Sequence, residues 1–184
     1  MDITDGEKLI LLMLSELYDR VGVEGDIEPD FIRSAIYGDQ TWSISLKYAG
    51  IPFEDQDTPA IVNEIFDILE MWSVIERTFA NLSSEEKDWL KKEGSGAFDE
   101  KPSFPGFDGN HETEYMGTAS YIVNELGRFS EFRGRNFNSH MPSIDLHRRM
   151  LNAYREIRKE LNVQPLSVQN LSDILKERVH PTNR

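Results

Sequence analysis

The chain has no cysteine, and that absence excludes several classes of protein. Its 184 residues offer no thiol for a disulfide scaffold, for thiolate catalysis, or for a Cys-ligated zinc or iron–sulfur centre. Long apolar runs are missing as well, since the longest, Leu9–Leu14, is far short of the ~20 residues that span a bilayer. The segment Asp2–Glu7 before it is acidic, whereas a signal peptide begins with basic residues. We therefore expect a cytoplasmic protein with no membrane segment.

Positive charge is scarce and unevenly placed. The chain carries 20 Lys and Arg against 33 Asp and Glu, a net charge of −13. Residues 1–100 hold 23 acidic and 8 basic side chains, whereas residues 101–184 hold 10 acidic and 12 basic ones. The simplest interpretation is that the two parts dock on each other, within one chain or between subunits. An anion-binding surface is the alternative. The net negative charge argues against general nucleic-acid binding.

Apolar residues recur three to four residues apart along most of the chain, which is the spacing of helices, and no stretch alternates as a strand does. A first helix is predicted from a capping box of Thr4 and Glu7 to Gly22. The most apolar helix is predicted from its cap Thr58 to about Asn81 and should lie centrally. The apolar face of the first helix consists of Ile10, Met13, Leu14, Leu17 and Val21. Further helices are predicted at about 29–37, 40–49, 83–92, 110–129 and 142–161, and from Ser167.

The predicted fold class is all-α, a compact multi-helix domain. A stretch rich in Gly, Pro and Ser, residues 94–106, predicts a loop or hinge. It joins an acidic N-terminal lobe, about residues 1–93, to a C-terminal lobe, about residues 107–184. Because the second lobe has fewer than 80 residues, we expect both lobes to share one core in a single domain, 1–184.

Two polar segments, Gly106–Glu112 and Asn136–Pro142, each run into the start of a predicted helix. Free backbone N–H groups and the helix dipole favour an anion at such a start. A purely structural interpretation is also available, because Asp108-Gly109 is a turn dipeptide and Asn110 is a good helix cap. Asn138 and Ser139 can likewise cap the helix that begins near Pro142.

The functional interpretation is that polar side chains of both segments converge on one small pocket. The candidate ligand-binding residues are Asp108, Asn110, His111, Arg128, Arg135, Asn138, Ser139 and His140. Arg128 is the best candidate to bind an anion, since its planar guanidinium can donate to two acceptor oxygens. Asp108, Ser139 and His140 have the residue types of a triad but lack a nucleophile elbow, so no catalytic residue is assigned.

A metal site is a weaker interpretation of the same region. Its ligands would be His111, Glu112, Glu114 and His140. Neighbouring residues of a helix point ~100° apart, which separates His111 from Glu112. We therefore expect neither a metal nor a cofactor.

Several of these residues also carry a family resemblance. The matching strings are Gly106-Phe107-Asp108-Gly109-Asn110, Glu114-Tyr115-Met116, Arg128-Phe129, Asn138-Ser139-His140 and Met150-Leu151, with Ile68-Leu69-Glu70-Met71-Trp72 upstream. In their spacing they resemble the YfbU family of bacterial proteins over most of the chain. The resemblance implies a helical, cytoplasmic bacterial protein and supplies no mechanism. His147 departs from it, because an aromatic residue such as Tyr is expected there.

Three functions remain open. The first is a non-catalytic protein-interaction or regulatory module that self-associates, as a homodimer, since two-fold dimers are the commonest assembly. The second is a small-anion-binding or hydrolytic protein that uses a pocket around Asp108, Arg128 and His140. The third is an acidic regulator with a divergent helix-turn-helix at 29–37 and 40–49. Lys47 is the only basic residue in the second of these two helices.

Overall fold

The computed structural model describes residues 3–53, 58–93, 101–162 and 164–179. Within these ranges the chain forms eight α-helices and no strand, which confirms the all-α prediction. The helices are α1 (Asp5–Val21), α2 (Pro29–Tyr37), α3 (Trp42–Lys47), α4 (Ala60–Asn81), α5 (Ser84–Glu93), α6 (Thr113–Asn124), α7 (Ile144–Leu161) and α8 (Val168–Lys176). A 3₁₀ turn covers Ser130–Phe132.

Local capping chemistry sets several helix ends. The capping box of Thr4 and Glu7 opens α1, and Gly22, with a φ of 67°, closes it as predicted. Ser167 caps α8 together with Asn170. The predicted cap at Thr58 was wrong, because α4 begins after Pro59 and its start has no side-chain cap.

The helix predicted over 110–129 is shorter than its apolar pattern indicates. α6 begins at Thr113 and ends at Asn124. The chain leaves the helix through Gly127, with a φ of 74°, and Phe129 also has a positive φ, of 50°. Gly117 lies inside α6, but a Cβ there would meet no atom within 4 Å, so no close helix crossing requires this glycine.

The main hydrophobic core surrounds α4. Nine of its residues are buried, and Trp72 is the largest of them. α5, α6, α7 and α8 contribute to the same cluster, together with Phe104, Phe107, Phe132 and Phe137. A smaller cluster joins α2 and α3 to Tyr121 and Leu126. Side chains from both parts of the chain therefore fill the core. Of the loop predicted over 94–106, residues 94–100 lie outside the described residues, and residues 101–106 form neither helix nor strand.

Acidic residues of α4 pair with basic residues of the second part of the chain. Glu64 binds Arg148 at 2.8 Å, and Asp67 pairs with Arg155. Glu76 binds Arg135 at 2.7 Å. These pairs support the interpretation that the acidic and basic parts dock on each other within one chain. In the part of the chain that the structure describes, no helix has the length and apolar character to cross a membrane.

Candidate functional site

The two polar segments meet through their backbones. The N–H of Phe107 donates to the carbonyl of Phe137 at 2.8 Å, and the N–H of Ser139 donates to the carbonyl of Phe107 at 2.9 Å. Phe107 and Phe137 are both buried in the main core. The pairing therefore holds both segments at one edge of the core.

Gly106 makes this close approach feasible. Its φ of 83° lies in the left-handed region that favours glycine. A Cβ at this position would lie 2.1 Å from the carbonyl oxygen of Phe137, well inside contact distance. Only glycine therefore fits where the two segments cross.

Asp108 is buried and its carboxylate is already engaged. It accepts hydrogen bonds from the Asn110 N–H at 3.0 Å and from His111 Nδ1 at 2.6 Å. The His111 contact, followed by that of Asn110, lowers the pKa of Asp108 below its usual value. The imidazole of His111 is exposed. Asp108 thus organises the turn before α6.

Asn138 plays the matching part in the second segment. Its Oδ1 accepts from the N–H of Gly109 at 3.0 Å and from the N–H of His140 at 2.9 Å. Ser139 Oγ donates to the carbonyl of Met141 at 2.6 Å. His140 is exposed and has a φ of 57°. The amide of Asn138 therefore links the two turns.

Glu112 forms the centre of this region. Its carboxylate accepts from the N–H groups of Asp108, Ser143 and Ile144, each at 2.8 Å, and from Ser143 Oγ at 2.9 Å. Burial alone would raise its pKa, but the three backbone donors outweigh burial and lower it. The negative group at the start of α7 is thus the chain's own carboxylate. Sequence reasoning named Glu112 only as a metal ligand, because nothing local shows that it reaches Ser143.

His147 is fully buried beside Glu112. Its Nδ1 accepts from Trp72 Nε1 at 3.0 Å, so Nε2 carries the proton and donates to the carbonyl of Gly106 at 3.0 Å. Its ring meets Phe107 at 5.0 Å between centroids. Burial lowers the pKa of His147 to about 4, which keeps the ring neutral at pH 7. The histidine therefore joins α4, α7 and the first polar segment.

The two candidate arginines, Arg128 and Arg135, lie apart from the region around Glu112 and His147. Arg135 forms two hydrogen bonds to Glu76, at 2.7 and 2.8 Å, and its guanidinium lies 4.8 Å from the ring centroid of Phe132. Arg128 is exposed and borders a groove of about 470 Å³ with Thr58, Asn63, Phe66 and Phe129, among other residues. No residue of the two polar segments lines that groove. Among the described residues, no hydrogen bond or ion pair engages the Arg128 guanidinium.

The remaining alternatives find little support in the geometry. Within the described ranges, no three His, Asp or Glu side chains are grouped so that they could hold a metal ion. α3, the second helix of the proposed helix-turn-helix, has six residues, and none of them is exposed. Lys47 at its end pairs with Glu28 at 3.0 Å and lies over the ring of Phe31. A recognition helix needs exposed side chains that reach base edges, and α3 presents none.

α1 presents a different kind of surface. Of its 17 residues only Ser15 is buried, and Arg33 of α2 binds Asp19 at 2.8 Å. On the side of α1 that faces away from α2, six apolar side chains are 49–70% exposed. We call them the α1 apolar face. They are Leu9, Ile10, Met13, Leu14, Leu17 and Val21. The sequence predicted this apolar pattern, but its exposure could not be read from periodicity.

An apolar groove adjoins the α1 apolar face. It has a volume of about 380 Å³ and lies between α1, α2, α3 and the chain that follows α3. Leu14 belongs both to the groove wall and to the α1 apolar face. The other wall residues include Leu11, Tyr18, Ile32, Ile44 and Tyr48. The exposed apolar surface is therefore continuous and partly concave.

The comparison with protein families agrees with this architecture. The family model described as the YfbU domain matches residues 1–177 of the 184. That span includes both polar segments, the α1 apolar face and every described helix. The match covers nearly the whole chain, and the chain belongs to the YfbU family.

Proposed function

We propose that this protein is a non-catalytic interaction or regulatory module of the cytoplasm, and that it self-associates as a homodimer through the α1 apolar face. The observation that carries the proposal is the exposure of six apolar side chains on one side of a single helix. Apolar residues scattered singly need no explanation, but a contiguous patch marks an interaction site.

The size of the patch supports this function. The six side chains leave roughly 600 Å² in water, at the top of the ~300–600 Å² range of the largest patch on typical monomers. The neighbouring groove and the exposed Val23 and Ile27 extend it. A surface of this size is costly to leave exposed, because apolar area favours burial by ~25 cal/mol per Å².

The polar region supports a non-catalytic role. Asp108, Glu112 and Asn138 use their acceptor oxygens on backbone N–H groups and on side chains of the same region. His147, buried and neutral, has both ring nitrogens engaged. These polar atoms already have partners within the fold, which supports a structural role for them.

Two methionines provide a matched test of self-association. Met13 on α1 is 70% exposed, and Met141 in the second polar segment is 71% exposed. We expect Met13→Glu to shift the mass measured by light scattering from twice the chain mass to that of one chain. Met141→Glu should remain a dimer. Because both side chains are exposed, both variants should fold and keep the helical circular dichroism spectrum of the wild type.

Two outcomes would contradict this proposal. One is a wild-type chain that has the mass of a single copy at micromolar concentration and low salt. The other is an equal loss of dimer in Met13→Glu and Met141→Glu, which would mean that added negative charge, and not the α1 apolar face, controls assembly.

Arg128 supports a second candidate, binding of a small anion. Its guanidinium is exposed at a groove that also contains the polar side chains of Thr58 and Asn63. A bound phosphate would gain a two-pronged, charge-assisted contact from Arg128 that Lys cannot reproduce. Titration with inorganic phosphate should then give saturable binding that weakens at least fivefold in Arg128→Lys, while Arg133→Lys binds as the wild type does. Equal binding by all three chains would reject this candidate.

A further inference from the structure

We infer that the α1 apolar face is occupied by α1 of a second copy, with the two helices antiparallel and related by a two-fold axis. This inference rests on the proposed function and names the partner surface. It specifies which residues meet: Ile10 packs against the partner's Val21, and Leu14 packs against the partner's Leu17.

The spacing of the exposed residues favours a helix as the occupant. Ile10, Leu14, Leu17 and Val21 are separated by four, three and four residues, the pattern of a two-helix seam. Met13 and Leu9 flank the seam on one side and are 70% and 63% exposed. On the other side, Leu11 and Tyr18 are part of the groove wall. The seam is therefore bordered by further apolar surface.

One antiparallel register buries all four seam residues. It sets Leu14 opposite the partner's Leu17 and Ile10 opposite the partner's Val21. Each leucine then meets a leucine, and each β-branched residue meets a β-branched one. A shift by one turn in either direction would leave one end of the seam exposed, so the hydrophobic pattern itself specifies the register.

Charge favours the antiparallel over the parallel direction. The first turn of α1 contains Asp5 and Glu7, and its last turn contains Arg20. A parallel pair would align both helix dipoles and place Arg20 of one copy beside Arg20 of the other. The antiparallel register opposes the dipoles and separates the two Arg20 residues by about 14 Å along the axis, at 1.5 Å per residue.

The area also fits a second copy. Two α1 apolar faces would together bury roughly 1,200 Å², which reaches the lower limit of specific, stable interfaces. A two-fold contact uses the same patch on both copies and closes on itself, so no second exposed patch is needed to complete the assembly.

Because the chain has no cysteine, disulfide crosslinking of introduced cysteines can report the register directly. Ile10 and Val21 are 57% and 65% exposed, so Ile10→Cys and Val21→Cys should both fold. In the antiparallel register residue 10 faces residue 21 of the other copy, whereas two copies of residue 10 lie about 16 Å apart along the axis. A disulfide requires Cα atoms within about 7 Å.

We expect an oxidised mixture of Ile10→Cys and Val21→Cys to form at least ten times more covalent dimer than either variant alone. Efficient crosslinking of each variant with itself would show a parallel pair and overturn the inference, while self-association would stand. An absence of crosslinks in a chain that light scattering shows to be dimeric would place the interface elsewhere and overturn it as well. An absence of crosslinks in a monomeric chain would overturn both the inference and the proposed self-association.

Discussion

Glu112 binds Ser143 twice: one carboxylate oxygen accepts from the Ser143 backbone N–H at 2.8 Å, and the other accepts from its hydroxyl at 2.9 Å. The same hydroxyl oxygen also lies 2.9 Å from the Gly106 carbonyl oxygen, so its single proton has two acceptors within reach. This relationship, between residues 31 positions apart, helps to hold the two polar segments together as one unit. The start of α7 has no side-chain cap of its own, and Glu112 satisfies its free N–H groups from another part of the chain.

Removing the charge of Glu112 should destabilise the fold. In Glu112→Gln an amide NH₂ replaces an oxygen that accepts from N–H donors, so at least one buried donor is left without an acceptor. We expect the free energy of unfolding in urea to fall by roughly 2–3 kcal/mol. Glu114→Gln, at an exposed position of α6, is the matched control and should change it by less than about 0.5 kcal/mol. Equal effects of the two changes would contradict the central role of Glu112.

Buried His147 should make stability depend on pH. Its pKa is about 4 in the folded chain, against an ordinary value of 6.5, so the unfolded chain binds the extra proton first. The stability it contributes is complete above pH 6.5 and is lost as the pH falls from 6.5 towards 4, by about 1.4 kcal/mol per unit at most.

Urea unfolding of the wild type at pH 7, 6 and 5 measures this loss. His147→Phe should be less stable at pH 7, because Trp72 Nε1 and the Gly106 carbonyl lose their partner, but its stability should change less between pH 7 and 5. Carboxylates whose pKa is lowered, such as Glu112, protonate only below about 4.5 and contribute little in this interval. A wild type with the same stability at pH 7 and pH 5 would refute the prediction.

Two glycines should respond oppositely to the same substitution. Gly106→Ala combines an unfavourable φ with a Cβ 2.1 Å from the Phe137 carbonyl oxygen. Because strain and overpacking cost ~1–3 kcal/mol each, we expect a loss of more than about 3 kcal/mol or no folded chain. Gly117→Ala, in open space inside α6, should stabilise the fold by ~0.5–1 kcal/mol. Thermal unfolding followed by circular dichroism separates the two, and a stable Gly106→Ala would contradict the close crossing.

The stability of the fold should depend on the planar guanidinium of Arg135. Arg135→Lys keeps the charge but gives up one of the two hydrogen bonds to Glu76 and the stacking on Phe132. We expect a cost of about 1 kcal/mol, which lowers the melting temperature by ~2–4 °C in a chain of this length. Arg133 lies on the exposed part of the same loop, so Arg133→Lys should leave the melting temperature unchanged. A larger effect at Arg133 would mean that the Glu76 pair contributes little.

The sequence determined the all-α class, most helix starts and the family. Helical spacing and capping boxes are local, so Thr4 with Glu7 and the apolar run of α4 can be interpreted without the fold. The end of α6 was predicted less accurately, because the apolar pattern and the backbone conformation disagree there. The apolar pattern continued to Phe129, but Gly127 and Phe129 leave the helix with positive φ.

Only the tertiary structure decided what those residues do. Sequence spacing cannot show that Glu112 reaches Ser143, that Arg135 is held by Glu76, or that His147 lies buried against Trp72, because each contact joins residues 31 to 75 positions apart. Nor can periodicity distinguish a face that packs inside the molecule from one that remains exposed. The pattern of α1 is as regular as that of α4, yet α4 is enclosed by other helices and α1 leaves its apolar face in water, since α2 covers only its opposite side.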